Sequence, residues 1–329
     1  MRSRHSSPRL AVTSWLMLAI GLLLLAPAAW AQSIQPLDRI VAVVNQGAIM
    51  ASELEQRVEQ ARSQLTGRGI DSPPDQTLRR QVLEQMINEE IQLQMARSAN
   101  LSVDDTELNR AVRSIAESNN MTLDQFADAV EADGLSLAAV REEVRRELIM
   151  RELQQRQVGS RVNVSEREVD RYLDQQGANQ GVRYRLAHIL VALPQSPTSD
   201  QVSEAQQTIQ RLRGELEHGA DFAQLAAAES DGGQALDGGE IGWREAGEVP
   251  SVFAEAVPQL EVGEFSQPLR SPSGFHIVKL LDREQSGQSA SGQNQRDQAR
   301  QALFQRKAND ELDIWLQEIR ADAFVEVRL

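Results

Sequence analysis

Two histidines lie inside apolar stretches of the sequence, where a polar ring is uncommon. His188 lies in Ala-His-Ile-Leu and His276 lies in Phe-His-Ile-Val. If these stretches form central and adjacent strands, the two imidazole rings can meet and form a site. For either histidine alone, a buried ring that bonds to backbone groups or a hydroxyl is the more ordinary explanation.

Metal binding and serine hydrolysis both commonly use histidine, and the sequence favours neither. No third histidine or cysteine is spaced to complete a metal site. Ser230, Ser271 and Ser273 lie in predicted loops, but no nucleophile-elbow pattern surrounds them. His218 precedes Gly219 where a helix is expected to end, and the negative end of that helix accounts for it. The residues alone therefore predict a histidine pair of unassigned role.

The region around the two histidines alternates strands with helices. An apolar strand over 183–193 is followed by a helix from about Asp200 to Leu216, and a second helix is predicted near Phe222. A glycine-rich loop then leads to a last strand over 274–282. This order within about a hundred residues predicts a compact α+β domain.

The region from 50 to 157 is predicted to be mostly amphipathic helix. Apolar residues recur there at helical spacing, for example Leu54, Val58, Ala61 and Leu65. Helix starts are predicted where a capping oxygen precedes an acid or amide by three residues. These pairs are Ser52 with Glu55, Asp104 with Glu107, Thr122 with Gln125, and Ser165 with Glu168.

The two ends of the mature chain each carry one short predicted strand. Residues 38–44 are rich in β-branched side chains and end at the turn signal Asn45-Gln46-Gly47, and we expect no partner strand nearby. Residues 324–329 alternate after a helix whose apolar face includes Trp315. Because a lone six-residue strand is not stable, we predict that 38–44 pairs with 323–329. The α+β domain would then be an insertion in a composite helical domain.

The first residues predict export. Three arginines precede an apolar run from Trp15 to Ala26 and the sequence Ala29-Trp30-Ala31, which is the order of a cleavable secretory signal. The apolar run is shorter than the roughly 20 residues of a spanning helix. The sequence has no cysteine, so neither disulfides nor a lipid-modified cysteine is available. A net charge of −14 makes nucleic acid an unfavourable partner.

Several separated motifs resemble parvulin-type prolyl isomerases and the SurA family of periplasmic chaperones. The stretches LAHILVALPQSPTSDQ, FAQLAAAESDGGQALDGGEIGW and VPSVFAEAVPQLEVGEFSQPLRSPSGFHIVKL are similar to a parvulin domain in order and spacing. LDRIVAVVNQGAIMASEL resembles the start of the SurA N-terminal domain, and WLQEIRADAFVEVRL resembles its C-terminal helix and strand. SurA-like chains often carry two parvulin domains, whereas this one has room for one.

The resemblance implies an α+β fold in which a mainly helical N-terminal chaperone domain is completed by the C-terminal helix and strand and carries an inserted parvulin domain. The expected boundaries are a signal peptide at 1–31, a helical domain at 32–164, a connecting helix and linker at 165–181, a parvulin domain at 182–283, a flexible linker at 284–296, and the C-terminal helix and strand at 297–329.

The resemblance also assigns site residues. His188 and His276 would be the paired core histidines, and Ser273 would bond within their network. Phe253 would form the floor of a proline pocket, with Val249 and Ile241 as apolar walls. No cofactor or metal is implied.

One position departs from the family pattern. Where active parvulins commonly place a cysteine or aspartate, the alignment places Gly232, and Asp231 lies one residue early. A one-residue slip would restore Asp231 as a catalytic residue. Without the slip the catalytic set is incomplete.

The implied function is an ATP-independent, monomeric periplasmic chaperone that binds unfolded outer-membrane proteins and peptides rich in proline or aromatic residues. Its parvulin domain would be a peptidyl-prolyl isomerase or, alternatively, a weak or inactive domain that only binds peptide. A membrane-anchored foldase resembling PpiD is a lesser alternative, and after signal cleavage we expect no membrane-embedded segment.

Overall fold

The computed structural model of the chain describes residues 38–132, 134, 136–175, 181–285 and 293–329. The predicted signal peptide, most of the first linker and the centre of the second lie outside the described residues. The described helices are α1 (Ala51–Gly67), α2 (Asp75–Ser98), α3 (Asp105–Ser118), α4 (Leu123–Ala132), α5 (Leu137–Gly159), α6 (Glu166–Gln175), α7 (Ser199–Glu217), α8 (Phe222–Glu229) and α9 (Gln293–Asp322). The described strands are β1 (Ile40–Val44), β2 (Gly47–Met50), β3 (Val182–Ala192), β4 (Glu240–Glu245), β5 (Leu269–Ser271), β6 (Gly274–Gln285) and β7 (Val325–Val327).

A three-stranded sheet with the order β2-β1-β7 joins the two ends of the described chain. The predicted pairing of the two ends is confirmed and is antiparallel, with Val44 opposite Val325 and Ala42 opposite Val327. The expectation that β1 lacks a nearby partner is wrong, because β2 follows it in a tight hairpin. Asn45 adopts a φ of 50° in that turn, a left-handed conformation that asparagine tolerates better than most residues.

The helices α1, α2, α5 and α9 share one apolar core with β1. Leu54, Ile87, Leu153 and Trp315 are among its fully buried members. An ion pair between Arg320 and Glu84, at 3.2 Å, adds a polar contact between α9 and α2. The C-terminal helix therefore belongs to the packing of the N-terminal helical region, as the fold class predicted from the sequence requires.

Three of the four predicted helix caps are confirmed. The backbone N–H of Glu107 donates to Asp104 at 2.8 Å, and that of Gln125 donates to Thr122 at 3.2 Å. At α6, the Ser165 N–H donates to the Glu168 carboxylate at 2.8 Å.

The prediction for the start of α1 is wrong. This helix begins one residue before Ser52, and Glu53 instead of Glu55 accepts the Met50 N–H, at 3.1 Å. The chain enters α1 directly from β2, which sets the first helical residue.

The α+β region contains a four-stranded antiparallel sheet with the order β4-β3-β6-β5. The helices α7 and α8 cover the face that carries Ile189 and Ile277. The opposite face carries Leu186 and Val278 and packs against Phe253. The sequence predicted the two central strands but not β4 or β5, which lie in segments rich in glycine, proline and serine. The predicted flexible linker is also too long at both ends, since β6 continues to Gln285 and α9 begins at Gln293.

The α+β region docks on the helical region through α8 and the 3-10 turn that follows it. Ala227 and Leu236 pack into the core of the helical region. The Gln81 side chain donates to the Ala228 carbonyl at 3.1 Å, and Arg68 pairs with Asp237 at 2.9 Å. The two regions thus share buried apolar surface as well as polar contacts. In the part of the chain that is described, no helix has the length and apolar character needed to cross a bilayer.

Deleting residues 323–329 is expected to destabilise the helical region, because β1 loses the strand that it pairs with. The lost bonds include Arg328 N–H to Val41, at 2.7 Å, and Asn45 N–H to Phe324, at 2.8 Å. At about 1 kcal/mol for each backbone bond, the loss is roughly 3 kcal/mol in urea unfolding. Val327→Ala, which trims an exposed side chain of β7, should change the unfolding free energy little. Equal stability of the truncated and full chains would contradict the pairing.

Candidate functional site

The sheet brings the two predicted histidines together. His276 pairs with Leu190 across β3 and β6, and His188 pairs with Val278, so both rings project from the same face. Their centroids are 5.9 Å apart and their planes differ by 21°. Because β3 and β6 are the two central strands, neither ring lies at an edge. The expectation that the two histidines meet is confirmed.

Phe253 lies across both imidazole rings. Its centroid is 5.6 Å from that of His188 and 5.5 Å from that of His276, with an interplanar angle of 78° in each case. The phenyl ring is 1% exposed and belongs to an apolar cluster with Val249. Edge-to-face contacts of this kind hold aromatic rings in a defined orientation. The three rings therefore form a rigid, mostly apolar floor.

A cavity of about 510 Å³ opens above this floor. His188, His276, Phe253 and Ile241 line it. Val249 is buried in the cluster behind Phe253 and is not among the lining residues, so it supports the pocket and does not form a wall.

The second wall of the cavity comes from a helix that the sequence did not place there. Residues 309–314 of α9 line it, apart from Glu311. The Gln317 side chain donates to the Ser273 carbonyl at 2.7 Å, and the Ser251 N–H donates to Asp310 at 3.2 Å. The cavity is therefore bounded by the sheet on one side and by the C-terminal helix on another. Leu312 belongs to the predicted apolar face of this helix, whereas nothing in the spacing of Asn309, Asp310 and Asp313 distinguished them from a solvent-exposed face.

Two serine hydroxyls lie at one nitrogen of His276. Ser271 Oγ is 2.8 Å from Nε2, and Ser273 Oγ is 3.3 Å away. The two hydroxyls are also 2.7 Å from each other. Ser273 was predicted in this network, whereas Ser271, which is closer, was missed. Its position at the end of β5, two residues before Ser273, is the signal that could have found it.

Asp231 does not reach the histidines. Its carboxylate accepts the backbone N–H of Ala192 at 2.8 Å and so stabilises the end of β3. The position that faces His188 is Gly232, where an added Cβ would lie 3.3 Å from Nε2. The geometry therefore corresponds to the alignment without the one-residue slip. No hydrogen-bond partner is found for either ring nitrogen of His188 in the described part of the chain, and the nearby Gln234 amide lacks the geometry of a bond.

Burial keeps both imidazoles uncharged. Burial lowers the pKa of His188 to about 4, against a smaller raising effect of Gln234. Burial, together with the charge that His188 would carry, lowers the pKa of His276 to about 3. At neutral pH the cavity floor is therefore neutral, and each ring can donate one hydrogen bond and accept one. Across the described ranges, no group of three histidine, aspartate or glutamate side chains is arranged to hold a metal ion.

Comparisons with known proteins give the family. Residues 37–154 match the SurA N-terminal domain, and residues 188–282 match the PPIC-type PPIase domain. Chaperone SurA of Chromohalobacter salexigens is 59% identical over 261 residues, which is 79% of this chain and 60% of that protein. Chaperone SurA of Nitrosococcus oceani is 46% identical over 254 residues, covering 77% and 60%. The chain belongs to the SurA family.

The chain spans about 60% of the length of these curated SurA relatives. A match to the solved structure of a SurA-like chaperone from Campylobacter jejuni covers 88% of this chain and 98% of the chain in that structure. The sequence identity is 15% and the TM-score is 0.42. The two histidines and Phe253 of this SurA-family chain all lie within its PPIC-type segment.

The histidine pair is expected to make this SurA-family protein less stable in acid. Unfolded histidines bind protons near pH 6.5, whereas the folded pair does so only near pH 4 and pH 3, so stability is full above pH 6.5 and falls below it. The fall approaches about 1.4 kcal/mol per pH unit for each ring. Urea unfolding of His188→Gln at pH 7.5 and pH 5 should show a smaller difference than the wild type shows. His218→Gln, which removes an exposed ring, should keep the full difference; the same difference in both variants would contradict the assignment.

Proposed function

We propose that the chain is an ATP-independent periplasmic chaperone that binds unfolded outer-membrane proteins, and that its parvulin domain isomerises their prolyl bonds. The observation that carries the proposal is the neutral cavity floor formed by Phe253, His188 and His276. Membership of the SurA family supports the chaperone part, and the predicted signal at 1–31 supports the periplasmic location. The net negative charge would keep such a chaperone soluble while it holds apolar segments.

Prolyl isomerisation requires that the enzyme bind the X-Pro segment and remove water from its amide, and it involves no covalent intermediate. Rotation about the X-Pro bond crosses a barrier of about 18–20 kcal/mol, because the twisted amide loses its resonance. The twisted amide is less polar along the C–N bond than the planar one. An apolar cavity that binds it more tightly than the planar form lowers the barrier.

Different residues of the cavity can bind the proline ring and the peptide amide. The Phe253 ring offers a flat apolar surface to the pyrrolidine ring, and Ile241 lies beside it on the cavity wall. His276, with Ser271 and Ser273 at its Nε2, can bond to a peptide carbonyl or hold the floor in place. His188 keeps both nitrogens available, since no described group bonds to them.

A second function is favoured by Gly232. Because this residue adds no polar group beside His188, the cavity lacks the side chain that active parvulins commonly use there. The domain would then bind proline-containing or aromatic segments without accelerating their isomerisation. The two functions differ in catalysis and share the same peptide-binding cavity.

The direct test uses the mature protein, residues 32–329, with a short X-Pro peptide and, in parallel, an unfolded outer-membrane protein prone to aggregation. Phe253→Ala should weaken peptide binding roughly 30-fold, since it removes about 2 kcal/mol of aromatic contact. Val257→Ala is the matched control, because Val257 is buried in the same cluster without lining the cavity. Circular dichroism would show that both variants remain folded.

Loss of isomerisation in Phe253→Ala and His188→Ala, but not in Val257→Ala, would support the enzyme. Peptide binding that depends on Phe253 without any catalysis would support the binding function alone. Binding unaffected by Phe253→Ala would contradict the placement of the site, and failure to suppress aggregation would contradict the chaperone.

Restoring a polar side chain at position 232 is expected to raise kcat/KM for isomerisation. Gly232→Asp would place a carboxylate beside His188 Nε2, and one such hydrogen bond is worth about 1.4 kcal/mol, or tenfold in rate. Protease-coupled assays would measure the change. Gly233→Asp is the control, since an added Cβ there meets no atom within 4 Å. A gain in the control equal to that in Gly232→Asp would refute the role of position 232.

A further inference from the structure

The wall that α9 contributes to the cavity carries two carboxylates. Asp310 and Asp313 both line it, three residues apart and so on neighbouring positions of one helix face. Asp310 accepts the Ser251 N–H, from the segment that leads to Phe253, at 3.2 Å. One carboxylate is thus committed to a contact with the sheet region, while the other faces the same space.

Asp313 has no such partner. Among the residues that the structure describes, none donates a hydrogen bond to its carboxylate and no cation lies within 4 Å. Asp313 is half-buried and lines the cavity. Burial and the nearby charge of Asp310 raise the pKa of the Asp313 carboxyl to about 6. A partly buried carboxylate without a counter-ion is destabilising, so a ligand that supplies a positive charge there gains free energy.

The two arginines of the cavity are held by other groups. Arg244 donates from its guanidinium to the Trp243 carbonyl at 2.9 Å. Arg270 stacks on Phe275, with 5.6 Å between the guanidinium carbon and the ring centroid. Phe275 projects from the sheet face opposite to that of His276, because successive residues of a strand alternate. Neither arginine forms an ion pair with Asp313, and the charge that acts on its carboxyl is that of Asp310.

We propose that Asp313, with Asp310 beside it, forms a subsite for a lysine or arginine side chain adjacent to the proline of a bound peptide. The inference rests on the proposed function, since it assumes that the proline lies on the floor of Phe253 and the histidines. It makes the C-terminal helix a determinant of specificity for the PPIC-type domain. Client segments with a basic residue next to proline are then the favoured substrate class.

The experiment compares peptides that differ in one charge. Fluorescently labelled Ala-Xaa-Pro-Phe and Ala-Ala-Pro-Xaa peptides, with lysine, norleucine or glutamate at Xaa, are titrated with the mature protein at pH 7.5 and followed by anisotropy. Norleucine keeps the alkyl chain of lysine without the charge. We expect lysine to bind about tenfold more tightly than norleucine in at least one of the two positions, and glutamate to bind more weakly than both.

Asp313→Asn should bring the lysine-to-norleucine ratio close to one, and Asp313→Lys should reverse the order of lysine and glutamate. Asp322→Asn, at the exposed end of the same helix, is the matched control and should keep the ratio. Equal affinities for lysine and norleucine at both positions, or a preference that survives Asp313→Asn, would overturn the subsite. If the subsite is overturned but norleucine peptides still bind in a way that depends on Phe253, the proposed function is retained. If none of the peptides binds, both the subsite and the proposed function are overturned.

Discussion

The antiparallel pairing of β7 with β1 is the constraint from which the rest of the arrangement follows. It places the last described strand of the chain against the first. The whole α+β region then becomes an insertion, and α9 must carry the chain back to β1. A helix of 30 residues spans about 45 Å, enough to cross the cavity and still place Trp315 in the helical core. One helix thereby completes the core of one region and lines the cavity of the other.

The cavity floor depends on a second constraint, the burial of two imidazoles side by side. Protonating either ring would place a charge in an apolar cluster, so the fold favours the neutral forms. A neutral floor suits an uncharged amide and an apolar ring. The polar groups of the cavity are set around this floor, with the serines at His276 and the carboxylates on α9. In the proposed function the floor binds the proline, and in the proposed subsite the carboxylates at the rim discriminate between the residues next to it.

Much of the fold follows from local sequence patterns. The pairing of the chain ends was predictable because a single short strand cannot stand alone, and the histidines were predictable because each interrupts an apolar strand. β2 was missed because Gly47 and Ala48 carry none of the β-branched character that marks a strand. β4 escaped prediction because Gly242 lies in its centre and a glycine-rich stretch precedes it.

The composition of the cavity was less accessible. Asp231 and Gly232 are adjacent in sequence, and only the backbone direction after α8 decides which one faces His188. The acidic wall was missed because Asp310 and Asp313 lie in a polar helix segment that is indistinguishable from a solvated face. Contacts between segments that are distant along the chain, such as Ser251 with Asp310 at a separation of 59 residues, leave no periodic signal in either segment.

The most direct test of the central claim, that the three rings form the peptide-binding site, is nitrogen-detected NMR of the histidine side chains during titration with Ala-Ala-Pro-Phe. We expect saturable shifts of the His188 and His276 imidazole nitrogens with one common dissociation constant. The exposed His218, which is hydrogen-bonded to Gly214 at 2.6 Å and is not among the residues that line the cavity, should stay unchanged. Peptide binding that leaves both buried rings unshifted would contradict the claim.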